Sequence, residues 1–199
     1  MGLVTWCLVL VVVRCNLRFY RLLTKNFIPY PSSFILFFML TIRPATRSDA
    51  DLIIFFIKAL ADYENAPPEI VKTTSENLLK HGFDTPTPRF HCCIAEWNGQ
   101  PSGFALYFYN FSTWDAKPGI YLEDLFVLPE ARKHGIGRAL LQHLAGIALE
   151  NDCTRLVWQV LDWNKLAIDF YERIGAAHQK EWFTYRMEEE AMKRFVEDL

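Results

Sequence analysis

The sequence predicts an α/β domain built on a mixed sheet with helices on both faces, and three observations carry that prediction. Segments of strand and helix period follow one another in the order strand, two helices, hairpin, strand, helix, strand, helix, strand, which is too mixed for a bundle or a sandwich. Asn98-Gly99 sits between two apolar runs and is the strongest short hairpin signal. A strand-like run at 121–127 then passes through the glycine-containing turn Arg132-Lys133-His134-Gly135-Ile136-Gly137 into an amphipathic helix.

Taken in order, residues 40–43 form the first strand. Ser48-Asp49-Ala50-Asp51 has the form of a capping box, and Ile53, Phe56, Ile57 and Leu60 follow at helical spacing. Tyr63, Glu64, Asn65 and Pro67-Pro68 make a loop, and Thr73-Thr74-Ser75-Glu76 opens a second helix before Leu78 and Leu79. Residues 90–96 and 102–109 are the arms of the Asn98-Gly99 hairpin, and residues 114–119 are a polar, proline-containing connection. Tyr121, Leu122, Leu125, Phe126 and Val127 make an apolar strand that Pro129 ends, after which Leu140, Leu144, Ile147 and Ala148 recur on one helical face. Residues 155–160 form the next strand. Asn164 and Gly175 then bracket a helix whose Ala167, Phe170 and Ile174 share a face. A last strand is expected at 182–187 and a charged helix at 188–199.

Composition narrows the function. The 199 residues are 51% apolar, enough for one core plus an appendage. Residues 1–48 carry +6 and no acid, so the rest carries −8 against a chain total of −2. An acidic body argues against nucleic acid as a partner and suits a small cationic one. Cys7, Cys15, Cys92, Cys93 and Cys153 show no Cys-x-x-Cys spacing, and His81, His91, His134, His143 and His178 form no ligand or triad spacing; no metal site is expected, and a reducing, cytoplasmic setting follows. Cys92 and Cys93 should face opposite sides of a strand, one of them buried.

Residues 1–38 read as an apolar, basic extension and residues 39–199 as the functional domain. The run 8–13 is too short to span a bilayer, and its charges follow it rather than precede it. A leader, a signal-like segment and translation from an upstream start all fit; the last is favoured because Met39 stands just before the first strand. Membrane association is expected, if anywhere, only through residues 1–38.

The turn at 132–137 has the chemistry of an anion site. Gly135 and Gly137 let a ligand approach the main chain, the first helical amides lack intrahelical partners, and Arg132 and Lys133 add charge. With Asn164, Ala167, Phe170, Tyr171, Gly175 and Ala176 spaced as Asn-x-x-Ala-x-x-Phe-Tyr-x-x-x-Gly-Ala, the chain resembles the GCN5-related N-acetyltransferase family. That family's acetyl-coenzyme A signature, Arg/Gln-x-x-Gly-x-Gly/Ala, is met by Arg132, Gly135 and Gly137. Residues 121–127 and 160–164 resemble its diamine branch, which includes spermidine/spermine and thialysine N-acetyltransferases. Lys133 departs from that branch, which usually has glycine there; a side chain is tolerated if φ is negative.

The resemblance implies a mostly antiparallel sheet, acetyl-CoA as cosubstrate, no metal, and a homodimer. It implies that Leu125, Phe126, Val127, Arg132, Lys133, His134, Gly135, Ile136, Gly137, Arg138, Asn164 and Ala167 hold the coenzyme, Asn164 serving equally well as a helix cap. Tyr171 matches the tyrosine that protonates the departing thiolate. Glu123 matches the glutamate that accepts the amine proton, or else attracts the cation electrostatically; from regular strand geometry its neighbour Asp124 faces the other way. Tyr63 and Glu64 match the branch's substrate-contacting pair, Glu181 approximates a later acid near the acceptor, and Trp114 either walls the amine pocket or anchors a loop. Phe55 stands where polyamine enzymes of the branch often have arginine. The expected activity is transfer of acetyl to a primary amine of a small diamine, polyamine or basic amino acid by direct attack in a ternary complex. A protein amino terminus or lysine is the alternative acceptor, and a non-catalytic coenzyme A-binding module is the alternative of another class.

Overall fold

The computed structural model describes residues 12–14 and 39–197; the expectations for the remainder of 1–38 lie outside the described residues. The chain divides into two compact units, Met1–Gln159 and Val160–Leu199.

The first unit is a sheet whose strands lie in chain order. Five strands make its body: β2 (Met39–Pro44), β3 (His91–Trp97), β4 (Gln100–Ser112), β5 (Lys117–Val127) and β6 (Leu156–Val157), with a three-residue β1 (Val12–Arg14) parallel beside β2. The pairs β2–β3, β3–β4 and β4–β5 are antiparallel and β5–β6 is parallel. Antiparallel neighbours follow from short turns. Asn98 and Gly99 both have positive φ, at 54° and 76°, as a type I′ hairpin turn requires.

Helices cover both faces of this sheet, and strand alternation explains how. Ile94, Phe104, Leu106 and Phe126 point to one side, where they meet Ile53 and Phe56 of α1 (Ala50–Tyr63) and Leu78 of α2 (Ser75–Leu78). Phe56 stacks on Phe104 with ring centroids 5.4 Å apart. The other side is covered by α3 (Ile136–Glu150), whose Ile136, Leu140, Leu141 and Leu144 are buried. With both faces covered, Cys92 and Cys93 are both buried, so the expectation that only one would be is corrected. Burial pushes the Cys93 thiol up to about 12 and Cys92 higher still, which makes both inert at neutral pH.

The start of α1 differs from the expected Ser48–Asp51 box. The box is formed two residues earlier, on the 3-10 turn Arg47–Asp49 that leads into α1, where the Thr46 N–H and hydroxyl donate to the Asp49 carboxylate at 2.7 and 2.8 Å. Asp49 is fixed by a two-pronged bond from Arg43 at 2.8 and 2.9 Å, and Arg43 also donates to Glu96 at 2.8 Å. This pins β2, β3 and the helix start together and holds the buried Asp49 carboxyl well below its usual range.

The second unit contains α4 (Lys165–Arg173) and α5 (Glu189–Glu197). Asn164 caps α4, its Oδ1 accepting from the Ala167 N–H at 3.3 Å. Gly175, with φ of 90°, ends the helix, and the Ala176 N–H returns to the Tyr171 carbonyl at 3.0 Å. Two expected strands fall short. The one at 155–160 is reduced to Leu156–Val157, and residues 182–187 are irregular. Their alternating pattern makes no ladder, so Trp182, Phe183 and Tyr185 stand 67%, 84% and 92% exposed; a strand's side-chain pattern stabilises nothing until it is paired.

Candidate active site

In the first unit three features converge on one end of β5. The first is a break in its pairing. Leu106 lies opposite Asp124 and Tyr107 opposite Leu122, so Glu123 is an extra residue with no partner across the strand. Such a bulge resets the alternation. Asp124 therefore falls on the same face as Leu106 and Phe126, the face that α1 covers, while Glu123 is exposed.

That placement concentrates acid. Asp124 is buried enough that its carboxyl is pushed up to about 6, chiefly by loss of water and then by the charges of Glu123 and Glu64. Glu64, just beyond the end of α1, is also held above its ordinary value by burial. Regular strand geometry hid this arrangement; the bulge that produces it depends on cross-strand pairing and leaves no local mark in the sequence. Sequence reasoning set Asp124 aside as the neighbour that faces away from Glu123.

The second feature is the opening beside β5. The β5–β6 ladder covers Ile120 and Tyr121, which leaves the main chain of Leu125, Phe126 and Val127 paired to β4 on its other side. The third is the turn into α3. Gly135 is the residue before the helix, with φ of 78°, and a Cβ built on it would meet nothing within 4 Å. Its surroundings are open, so the amides of the first turn have room for a phosphate. Gly137 is placed differently: a Cβ there would touch Val127 and Leu125 side chains at 3.8 and 3.9 Å, so the helix start lies close on β5. His134 anchors the turn, with its Nδ1 3.1 Å from the Ala131 carbonyl and its ring 4.8 Å from that of Trp97.

Lys133 has φ of 68°. The expectation of a negative φ at this position is corrected: the side chain sits in the left-handed region, at a cost of about 1 kcal/mol, where glycine would sit freely. Arg132 also departs from a plain phosphate ligand. Its Nε donates to the Val127 carbonyl at 3.1 Å, and its guanidinium carbon lies 4.4 Å from the centre of the Tyr63 ring.

The remaining candidates are dispersed. Trp114 is at the turn between β4 and β5 and 87% exposed. Phe55 is an exposed residue of α1. Arg138 lies in the first turn of α3. Tyr171 lies on α4, partly buried, with its ring 5.7 Å from that of Phe170, and Glu181 is exposed; these two, with Asn164 and Ala167, belong to the second unit. A cavity of about 200 Å³ bordered by Pro44, Phe83, His91, Tyr107 and His143 contains none of the motif residues. Among the described residues no group of three or more His, Cys, Asp or Glu is placed to hold a metal ion, and no helix is long and apolar enough to cross a membrane.

Known proteins share both the fold and the motifs. The profile of the acetyltransferase (GNAT) family matches residues 57–176. The chain is 39% identical over 166 residues to the thialysine N-epsilon-acetyltransferase of Bos taurus, covering 78% of this chain and 96% of that one. It is 34% identical over 161 residues to spermidine/spermine N(1)-acetyltransferase-like protein 1 of Homo sapiens, covering 76% of this chain and 23% of that longer protein. Among solved structures, an integron cassette protein from the mobile metagenome of V. cholerae superposes with a TM-score of 0.65 at 28% identity, covering 79% of this chain and 97% of that one. A mostly antiparallel sheet opened beside β5, a glycine turn into α3 and a relative aligned along nearly its whole length agree: the chain belongs to the acetyltransferase (GNAT) family and is an acetyl-CoA-dependent N-acetyltransferase.

Proposed function

We propose that the acceptor is a primary amine of a basic amino acid or small diamine, that acetyl passes to it directly from acetyl-CoA, and that the residues gathered at the β5 bulge bind it. The carrying observation is the bulge that sets an exposed Glu123 next to a half-buried Asp124 beside the opened strand, with the charges of Glu123 and Glu64 both acting on Asp124. Neighbouring carboxylate charges attract a cation, and the relatives named for thialysine and for spermidine/spermine support that class of acceptor.

The amine arrives protonated, since alkylamines have pKa values near 10.4, and must lose a proton before its lone pair can attack. Glu123 takes that proton directly or through water. Asp124, with its affinity for a proton raised to about 6, is a second acceptor beside it. The amine nitrogen then bonds to the thioester carbonyl carbon, the carbonyl oxygen taking up the displaced electron pair against a main-chain N–H of Leu125–Val127. The carbon–sulfur bond breaks as the carbonyl reforms, Tyr171 gives its phenolic proton to the leaving thiolate, and the second proton shed by the nitrogen as it becomes an amide restores the phenol. The α3 amides and the 132–137 turn hold the phosphates, and Asn164 and Ala167 the coenzyme's arm. Homodimeric assembly and a cytoplasmic location complete the reading, supported by family resemblance and by cysteines without a paired spacing.

The test is a panel of free amines and peptides incubated with acetyl-CoA, with acetylated products identified by mass spectrometry. Thialysine, lysine, ornithine or a short diamine should be modified well ahead of peptide amino termini. Preferential acetylation of a peptide would move the acceptor class to proteins.

A further inference from the structure

We propose that Arg132 is a positioning residue for the acceptor: its guanidinium ties the ring of Tyr63 to the end of β5, so that coenzyme and amine sites are energetically coupled. The inference rests on the proposed function, in which the turn after Arg132 holds the coenzyme, and on the family resemblance, which implies that Tyr63 contacts the acceptor.

The geometry is compact and lies within one unit. The Arg132 guanidinium carbon is 4.4 Å from the centre of the Tyr63 ring and 5.7 Å from that of Phe126. The two rings are themselves 6.2 Å apart and inclined at 55°. Nε, on the same planar group, donates to the Val127 carbonyl at 3.1 Å. One side chain thus touches the last residue of α1, the side chain at β5 position 126 and the main chain at 127.

Each contact uses a property of arginine. A planar cation stacks on an aromatic face while its N–H groups remain free to donate in the plane, and a lysine ammonium does not do both. The side chain lies toward the acceptor loop, while its own backbone continues into the turn that faces the phosphates. Fixing that turn with a bound coenzyme therefore fixes the guanidinium, and the guanidinium fixes the ring that borders the amine. By linkage the amine must strengthen coenzyme binding by the same factor. A cation over an aromatic ring at a partly desolvated site contributes enough to change an affinity by roughly 3- to 30-fold.

The experiment is a double-mutant cycle with Arg132→Gln, Tyr63→Leu and the double variant, with Tyr63→Phe as the form that keeps the ring. Coenzyme A affinity is measured by calorimetry with and without saturating thialysine, and kcat and KM for thialysine come from initial rates. Thermal transitions establish that each variant is folded. The expected result is that both single variants raise the thialysine KM by a similar factor of roughly 3 to 30, that the double variant is no worse than the poorer single, and that kcat holds within about twofold. Thialysine should tighten coenzyme A binding in the wild type and in Tyr63→Phe, but not in Arg132→Gln or Tyr63→Leu. Effects that multiply in the double variant, or an Arg132→Gln loss of coenzyme A affinity that is the same with and without thialysine, would overturn the coupling while leaving the functional reading intact. A folded wild type that acetylates no amine would sink the reading and the coupling with it.

Discussion

Replacing Asp124 with asparagine should stabilise the protein at neutral pH while damaging acceptor binding. The carboxyl is pushed from an ordinary 3.8 to about 6 by burial, with Glu123 and Glu64 adding repulsion. That is a difference of about two units, and each unit corresponds to about 1.4 kcal/mol, so the ionised group costs the fold up to about 3 kcal/mol. The folded form keeps its proton to a higher pH than the unfolded chain does. Stability from this group therefore falls as pH rises from about 4 to about 6, and the full cost is present above that window. Asparagine cannot ionise and escapes the cost, less whatever its amide loses by incomplete hydrogen bonding. Urea unfolding of both proteins at pH 4.5, 6 and 7.5 reads the effect. The difference should grow from about 1 kcal/mol at the lowest pH to about 2–3 kcal/mol at the highest, the latter equivalent to roughly 4–12 °C in Tm for a chain of this size. At the same time the KM for the amine should rise. A difference that does not change with pH, or a variant less stable than wild type at pH 7.5, would refute the placement of a charged Asp124 at a partly buried, acidic site.

Tyr171→Phe should lower kcat by about 10²- to 10⁴-fold with little change in coenzyme affinity, because the proton donor is needed only as the thiolate leaves; turnover within twofold of wild type would remove it from the mechanism. Gly135→Val should weaken acetyl-CoA binding in calorimetry, since its φ of 78° suits no branched side chain and its open surroundings would be filled; unchanged affinity in a folded variant would mean the turn does not cradle the coenzyme. Lys133→Gly should raise the thermal transition slightly by relieving a φ of 68°, for a net gain of up to about 0.5 kcal/mol after glycine's greater unfolded-state entropy; a lowered Tm would show that the lysine side chain makes a compensating contact.

The residues most legible in the sequence were those whose geometry is local. Asn98-Gly99 gave its hairpin because two adjacent positive φ angles suit few other pairs, and Asn164 and Gly175 bracketed α4 because caps act within a turn of their own position. Non-local features were harder to read. The Thr46–Asp49 cap depends on Arg43 reaching across from β2, and a four-residue pattern placed it two positions late. Glu123 and Asp124 were visible as a pair facing apart, but which of them is buried depends on how β4 and β5 align, and the bulge leaves Glu123 exposed and Asp124 on the α1 face. Residues 182–187 show the limit in the other direction. Their alternation is that of a strand, yet pairing partners decide whether a strand forms, and the segment is irregular.

The central claim, direct transfer of acetyl from acetyl-CoA to an amine held at the same time, is tested most directly by a two-substrate matrix of initial rates. Free thiol release is followed while acetyl-CoA and thialysine are varied together. The account predicts thiol release that depends on the amine, double-reciprocal lines that intersect, and an acetylated amine in equal amount to the thiol. Parallel lines, which signal an acetyl-enzyme intermediate, or thiol release that ignores the amine, would contradict it.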